Sequence, residues 1–207
     1  MMARTEPNTS FESDLWDSGL LYVAGLDEAG RGALAGPVSV GAVILPNDKS
    51  LLSWTLSRVR DSKQLTPRAR ESLAPIIRET AVTWSVGFAT ADEIDSQGIV
   101  RATRLAAIRA LHQFSVTPQY LLTDFRLELP QINIPQTSII KGDARCLTIA
   151  CASILAKTER DALMRELDAR HPGYRLGKNK GYGTQTHRSA MKRKGLTSIH
   201  RRSFHVR

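Results

Sequence analysis

Short apolar runs alternate with stretches of helical spacing along most of the chain. The apolar runs predict strands over residues 20–26, 39–45, 82–89, 120–123 and 137–140. Helical spacing and capping signals predict a helix that starts after Thr66 and stops or kinks near Pro75, and further helices over 99–114, 147–167 and 184–194. Strands mixed with helices, followed by a helical end, indicate one α/β core with a small C-terminal appendage.

The first 17 residues lack this pattern. They mix acids with Pro and Ser and contain no apolar segment, so we expect a flexible polar leader over residues 1–17 and no secretion signal. No apolar run approaches the roughly 18 residues that a spanning helix needs, and we expect no membrane partner. Cys146 and Cys151 are too few for a disulfide scaffold and are not spaced as CxxC, which predicts a reduced, cytoplasmic setting.

The composition is that of a globular protein, and the charge is unevenly distributed. The 207 residues are 42% hydrophobic, with a mean hydropathy of −0.24, which excludes a disordered chain and a membrane bundle. The net charge is +9, but residues 157–207 alone hold 14 Lys or Arg against 4 Asp or Glu. A basic segment of this kind predicts a polyanionic partner. Charge alone leaves a solvated tail, DNA, RNA and an anionic membrane open.

An acidic pair stands directly after the first apolar run. Asp27 and Glu28 are followed by Gly30, Arg31 and Gly32. A buried carboxylate must be neutralised, paired or bound to a metal ion, whereas an exposed acidic turn needs no partner. Because neighbouring strand residues face opposite sides of a sheet, we expect the chain to bend at this pair if both carboxylates serve one site. The glycine spacing and the acids do not fit a dinucleotide-binding loop.

Two further acids occur where sites collect in α/β proteins. Asp124 ends the apolar run 120–123, and Asp143 precedes the predicted helix 147–167, although single acids there also serve as turn or cap residues. Four carboxylates without paired His or Cys suit hard cations such as Mg²⁺ or Mn²⁺ and do not favour zinc. On a basic protein they favour hydrolysis of a phosphodiester with two divalent ions, one activating water and the other stabilising the leaving oxygen.

Six motifs point to one family. They are GLDEAGRG at 25–32, DSK at 61–63, KGD at 141–143, ASILAK with RD from 152 to 161, KGYGT at 180–184 and HRRSF at 200–204. On these motifs the sequence resembles bacterial ribonuclease HII over nearly its whole length. The resemblance implies a ribonuclease H-like mixed sheet flanked by helices as a catalytic core over residues 18–170. It also implies a small, basic C-terminal helical segment over 171–207, packed on that core.

The resemblance further implies an endonuclease with Mn²⁺ or Mg²⁺ as cofactor. Its substrates would be the RNA strand of RNA–DNA hybrids and duplex DNA with single ribonucleotides, cut on the 5′ side to leave 3′-hydroxyl and 5′-phosphate ends. The catalytic, metal-binding carboxylates would be Asp27, Glu28, Asp124 and Asp143. The backbone of Gly30, Arg31 and Gly32 would contact the ribose 2′-hydroxyl, and Tyr182 would stack on the next sugar. We expect a monomer in the cytoplasm, with nucleic acid as its partner.

For the other charged and polar residues of the motifs we expect phosphate contacts or structural roles. Candidate phosphate contacts are Arg31, Lys63, Lys180, Arg201 and Arg202. We expect structural roles for His200, because the metal route needs no imidazole, and for Asp161, because most of the long helix separates it from Asp143.

Three positions depart from the family pattern, and two other functions stay open. Phe125, Asn179 and Gln64 stand where the family usually has Gly, His and Lys, which puts the substrate range in question. The alternatives are a non-catalytic nucleic-acid-binding module, whose acids only brace loops, and a related metal-dependent DNA nuclease of the same fold. The second alternative gives no reason for GRG or KGYGT.

Overall fold

Five strands form one mixed sheet in the computed structural model, which describes residues 6–125 and 127–204. The strands are β1 Val23–Ala29, β2 Val38–Ile44, β3 Thr83–Ala89, β4 Tyr120–Asp124 and β5 Gln136–Ile139. Their order in the sheet is β3-β2-β1-β4-β5. β1 pairs antiparallel with β2, as β2 does with β3, whereas β1–β4 and β4–β5 are parallel. The predicted strands therefore all exist, within a few residues of their expected ends.

Helices cover both faces of this sheet. They are α1 Ser10–Asp17, α2 Lys49–Thr55, α3 Pro67–Thr80, α4 Ala91–Gln97, α5 Ile99–Leu111, α6 Leu147–Arg170, α7 Leu176–Asn179 and α8 Gln185–Lys194, with a 3₁₀ turn at Gly142–Ala144. α6 packs on β1 and β2, and α5 packs on β2 and β3 from the other side. The α/β class with a mixed, helix-flanked sheet is confirmed.

Close approach of α6 to the sheet depends on glycine. A Cβ atom on Gly41 would lie 2.2 Å from the carbonyl oxygen of Ala152, and one on Gly25 would lie 2.5 Å from the carbonyl carbon of Thr148. Both contacts are with backbone, so a larger residue would push the helix away. The odd-numbered face of β1 thus holds α6 against the strand end that carries Asp27.

One sequence expectation about chain direction is wrong, and a second is wrong in one of its two alternatives. β1 does not bend at the acidic pair: Asp27 pairs with Gly41 and Glu28 with Val40 before the strand ends at Ala29. α3 does not end at Pro75 but continues to Thr80. Pro75 lies on the exposed side of α3, where water can replace a missing helical bond, while Ile77 beyond it is fully buried.

The prediction of a flexible leader is wrong for its second half. Residues Ser10–Asp17 form α1, and Glu12 and Trp16 on that helix are buried. The backbone of Asn8 also pairs with the segment before α6, donating to Arg145 and accepting from Leu147. The remaining leader residues 1–5 lie outside the described part of the chain.

Glu12 holds the start of α6. Its Oε1 accepts from the Thr148 backbone N–H at 2.7 Å, from the Thr148 hydroxyl at 2.6 Å and from Cys146 Sγ at 3.1 Å. Cys146 at the N-cap supplies no side-chain cap of its own. A carboxylate far away in sequence therefore satisfies a free helix N–H and complements the helix dipole.

The segment after α6 packs back on that helix. Tyr174, Leu176 and Ala190 form a small buried cluster with Ala35 and Met164. The division into a core over 18–170 and a separate segment over 171–207 stays a prediction. In the part of the chain that the structure describes, none of the helices combines the length and apolar character needed to cross a membrane.

We predict that Glu12→Ala lowers the free energy of unfolding by about 2 kcal/mol, because it leaves a buried N–H and hydroxyl without an acceptor. Urea unfolding followed by circular dichroism measures the change. Glu12→Gln keeps one acceptor oxygen and should lose less. Asp17→Ala changes an exposed acid of the same helix and serves as the control. Equal stability of Glu12→Ala and wild type would contradict the capping role.

Candidate metal centre and substrate cleft

Three of the predicted carboxylates meet at the ends of two parallel strands. Asp27 and Glu28 lie at the end of β1, Asp124 ends β4, and these strands pair up to Leu26 and Thr123. One oxygen each of Asp27, Glu28 and Asp124 lies within 4.8 Å of the others. Asp27 and Asp124 lie on the α6 face of the sheet. Glu28 has the opposite strand parity and reaches the same point without a bend in the chain.

Asp143 lies beside this group and not within it. Its Oδ2 accepts from Lys63 Nζ at 2.9 Å. The preceding residue connects it to the triad, because the Gly142 N–H donates to Asp124 Oδ1 at 2.7 Å. The structure thus brings three of the four predicted carboxylates to one point and places the fourth next to them, paired with a lysine.

Negative charge in the group is poorly compensated. Burial and the neighbouring charge of Glu28 raise the pKa of Asp27 well above its ordinary value, although a hydrogen bond with Ser153 opposes the shift. Burial also raises the pKa of Glu28 against the attraction of Arg31. Glu28 Oε2 is buried and has no hydrogen-bond partner among the described residues. Ionised carboxylates here therefore need a further positive charge.

Lys63 compensates Asp143 only in part. Burial raises the pKa of Asp143, and the hydrogen bond from Lys63 opposes that change. For Lys63, partial burial works against the charged form, but the hydrogen bond and charge of Asp143 raise its pKa overall. The lysine is consequently a fixed cation at the edge of the carboxylate group.

The donor set fits a hard divalent cation. Carboxylate oxygens are the ligands that Mg²⁺ and Mn²⁺ prefer, and the triad presents one oxygen from each residue at a common point. The unpartnered Glu28 Oε2 offers a further acceptor. Asp27, Glu28 and Asp124 are therefore the residues that could hold such an ion, with Asp143 adjacent.

A cleft of about 240 Å³ opens over the triad. It is lined by Asp27, Glu28, Ala29, Gly30, Arg31, Gly32, Ser62, Lys63, Arg70, Asp124, Ser153, Lys157 and Tyr182. The predicted GRG residues and Tyr182 thus share one cleft with the carboxylates. Gly30 has φ +85°, and a Cβ there would lie 1.9 Å from Arg160 Nε, so only glycine fits.

Lys180, predicted to contact substrate, does not line this cleft. Its ammonium group donates to the carbonyl oxygens of Gly177 and Asp161 inside the protein. The backbone of Lys180 is left-handed, with φ 54°, and its side chain turns back over the end of α7, where a free carbonyl needs a donor. In this placement Lys180 braces the KGYGT loop, and its contact with substrate stays a prediction.

Sequence reasoning missed several residues that line the cleft. Ser153 and Lys157 are four residues apart on α6, so they lie on one side of the helix. The Ser153 hydroxyl lies 2.8 Å from that of Ser62, and Lys157 Nζ lies 5.5 Å from the centre of the Tyr182 ring. The signal that could have found them is the four-residue spacing of Ser153, within the apolar first half of α6, and Lys157, just after it.

The three departures from the family pattern fall in different environments. Asn179 is buried; its Nδ2 donates to the Tyr174 carbonyl at 2.7 Å and its Oδ1 accepts from the Gly181 N–H at 2.8 Å. The amide therefore shapes the KGYGT loop. Phe125 is 49% exposed and Gln64 is also exposed, and neither is among the cleft-lining residues of the described chain.

Comparison with known proteins identifies the family of the chain. Residues 24–207 match the family model described as Ribonuclease HII. The chain belongs to the ribonuclease HII family. It is 49% identical over 204 residues to a ribonuclease HII of Dehalococcoides mccartyi, covering 99% of this chain and 95% of the relative. Membership in this family makes the chain a metal-dependent endoribonuclease.

Solved structures show the same fold. The crystal structure of ribonuclease H2 from Pyrococcus horikoshii OT3 superposes with a TM-score of 0.71 at 27% identity, covering 88% of this chain and 93% of that one. A ribonuclease HII from Archaeoglobus fulgidus, solved in complex with PCNA, gives a TM-score of 0.73 at 27% identity, covering 90% and 96%. The predicted ribonuclease H-like fold is thereby confirmed for this ribonuclease HII family member.

The electrostatics of the triad predict an effect on stability. In metal-free protein we expect Asp27→Asn to raise the free energy of unfolding at neutral pH by about 1 kcal/mol, a gain typical of relieving an unfavourable functional site. A raised pKa means that the folded state holds the Asp27 proton more tightly than the unfolded chain does. The contribution of the Asp27 carboxyl to the stability of the wild type is therefore fully present below pH 3.8, the ordinary pKa of this group. It is lost as the pH rises through the raised pKa.

Urea unfolding in EDTA across a pH series tests this expectation, and the advantage of Asp27→Asn should shrink towards acidic pH. Glu93→Gln is a control of opposite sign, because hydrogen bonds from Arg109 lower the pKa of Glu93 to about 2. That variant should lose stability at neutral pH, and the loss should disappear as pH falls from the ordinary value of 4.5 through about 2. If Asp27→Asn is less stable than the wild type, or if the difference in stability does not change with pH, the raised pKa of Asp27 is refuted.

Proposed function

We propose that this protein cleaves duplex DNA on the 5′ side of single embedded ribonucleotides, as well as the RNA strand of RNA–DNA hybrids. The products are 3′-hydroxyl and 5′-phosphate ends. One observation carries the proposal: the carboxylate triad, the GRG backbone and Tyr182 line the same cleft. Family membership supports ribonuclease activity on hybrids, and the shared cleft supports recognition of a single ribonucleotide.

Asp27, Glu28 and Asp124 would hold the divalent cations, Mn²⁺ or Mg²⁺, with Asp143 at the edge. When bound, two such ions supply an activated water and stabilise the charge on the leaving oxygen. Ser153 orients Asp27 through a hydrogen bond, and the Gly142 N–H orients Asp124. Arg31 lies 3.9 Å from Glu28 and offers a positive charge beside the scissile phosphate.

Recognition of the ribonucleotide rests on the 2′-hydroxyl, which is the group that distinguishes RNA from DNA at one nucleotide. Backbone groups can reach it only where no side chain intervenes, and Gly30 and Gly32 provide that access on the cleft wall. Tyr182 faces the cleft with Arg160 and Lys157 each 5.5 Å from its ring centre. Two cations therefore lie close to the ring that would stack on the neighbouring sugar.

The basic C-terminal segment supports a polyanionic duplex as the partner. The last turn of α8 carries Lys192, Arg193 and Lys194, all exposed. Contacts of such residues with phosphates give affinity without sequence preference. We further propose a monomer in the cytoplasm, where the two buried, free cysteines Cys146 and Cys151 stay reduced.

One cleavage experiment separates this function from its alternatives. A labelled duplex with a single ribonucleotide, a full RNA–DNA hybrid and an all-DNA duplex are incubated with Mg²⁺, with Mn²⁺ and with EDTA. The proposal expects metal-dependent cuts next to the ribonucleotide and in the hybrid only. Binding without a cut would support a non-catalytic module, and equal cutting of the all-DNA duplex would support a DNA nuclease.

Asp27→Asn should abolish turnover, lowering kcat by about a thousandfold or more, because bound metal ions stabilise the transition state by several kcal/mol. Affinity for the duplex should stay equal or rise slightly, since the phosphate contacts remain. Single-turnover cleavage and fluorescence anisotropy measure the two quantities. Asp92→Asn, an exposed acid of α4, is the control. Near-normal turnover of Asp27→Asn would remove Asp27 from the metal-binding set.

Tyr182→Ala should reduce cleavage at a single ribonucleotide by about tenfold more than cleavage of a long hybrid, as expected for loss of one stacking contact. A hybrid offers many ribonucleotides and depends less on any one sugar contact. Tyr182→Phe keeps the ring and should behave like wild type. Competition between the two substrates in one tube gives the ratio directly, and an unchanged ratio would contradict the stacking role.

A further inference from the structure

We propose that His187, His200 and Arg201 act together as positioning residues that fix the distance between the two substrate-contacting loops. The glycine loop comprises residues 30–36, and the tyrosine loop comprises residues 180–184. This inference rests on the proposed function, because it assigns a role in selecting a single ribonucleotide. It concerns a buried group that does not line the cleft itself.

The two histidines form a directional chain of hydrogen bonds that ends on Tyr182. The Thr197 backbone N–H donates to His200 Nδ1 at 3.0 Å, so that nitrogen carries no proton. His200 is then protonated at Nε2, which lies 3.2 Å from His187 Nε2. His187 accepts there and is protonated at Nδ1, which donates to the Tyr182 carbonyl at 3.0 Å. One set of tautomers satisfies every contact.

Both rings must be neutral for this chain to form. A charged His200 would place a proton on Nδ1 against the Thr197 N–H. Burial favours the neutral forms: it lowers the pKa of His187, and with the neighbouring His187 it lowers the pKa of His200 to about 4. The side chains are fully enclosed, at 0% and 1% exposure, with Tyr174 packed against both.

Arg201, which directly follows His200, holds the glycine loop. Its Nη1 donates to the Arg31 carbonyl at 2.9 Å and its Nε to the Gly36 carbonyl at 3.0 Å. Its backbone N–H also donates to the Leu34 carbonyl at 2.9 Å. Three bonds from one buried residue therefore fix the glycine loop at its start, middle and end.

The two loops also meet directly. The N–H groups of Leu34 and Ala35 both donate to the Gly181 carbonyl, at 2.8 and 3.2 Å. Arg160 spans them, donating to Lys180 at 2.9 Å and to Ala35 at 3.3 Å through their carbonyls. Since adjacent residues His200 and Arg201 each hold one loop, a shift of the C-terminal segment would change the gap between the GRG backbone and Tyr182. If the distance between the GRG backbone and Tyr182 is already fixed before the substrate binds, the cleft is preorganised for a single ribose that is followed by a deoxyribose.

Conservative and severe variants test the assignment on the full chain. His187→Ala, His200→Gln and Arg201→Lys should each lower kcat at a single ribonucleotide at least about tenfold more than kcat on a long hybrid, because small misplacements of reacting groups are costly. Affinity for either duplex should change little. His112→Ala and Arg101→Lys alter exposed residues of the same types and are the matched controls. Equal losses on both substrates would overturn the proposal.

Nitrogen-15 NMR of the histidine side chains tests the hydrogen-bond chain on the wild-type protein, independently of activity and of variant folding. The expected tautomers are Nδ1–H for His187 and Nε2–H for His200 at neutral pH. Any other pair of tautomers would overturn the chain. If the wild type cuts neither ribonucleotide substrate, the proposed function fails. If it cuts both while the variants keep the wild-type substrate ratio, only the positioning role fails.

Discussion

Repulsion among three closely spaced and partly buried carboxylates is the constraint on which the rest of this structure depends. Asp27, Glu28 and Asp124 hold oxygens within 4.8 Å of one another, and none of the three has a lysine or arginine within normal hydrogen-bonding distance among the described residues. Such a group would spread apart on a flexible loop. Here it lies at the ends of two paired parallel strands, and α6 is packed against the sheet at Gly25 and Gly41, so the backbone prevents the acids from separating.

The start of α6 needs its own support, because the turn before it carries Asp143 and α6 itself carries Ser153. Glu12 provides that support from the N-terminal helix by accepting two hydrogen bonds from Thr148 and one from Cys146. On the other side of the cleft, buried Arg160 and Arg201 donate to carbonyls of the glycine loop, the tyrosine loop and Pro37. Acids therefore form the floor of the cleft, and loops braced by cations form its wall. This separation of charge suits a phosphodiester next to metal ions.

Local signals in the sequence predict the strands and the long helices, because apolar periodicity reflects which face each element buries. The family motifs also predict which acids, glycines and tyrosine share a site. Features that depend on distant partners could not be predicted. α1 is short, and it is stabilised by contacts of Glu12 with Thr148, 136 residues away. The direction of the Lys180 side chain depends on a left-handed backbone and on the end of α7, neither of which KGYGT reveals. Glu28 reaches the triad from a strand that does not bend, although the alternation of side chains along a strand would place Glu28 on the opposite face from Asp27.

The structure also distinguishes acids that the motifs treat alike. Asp143 already has a cation, since Lys63 Nζ lies 2.9 Å from its carboxylate, and Asp161 has two, Arg70 and Lys157. Among the described residues Glu28 instead has a buried oxygen without a partner, and Asp27 is the most enclosed member of the triad, at 3% exposure. Uncompensated charge is thus concentrated on the three residues at the strand ends. A divalent cation gains most where existing pairing is least, so the imbalance that costs the folded chain stability is one that a cation at the cleft floor would relieve.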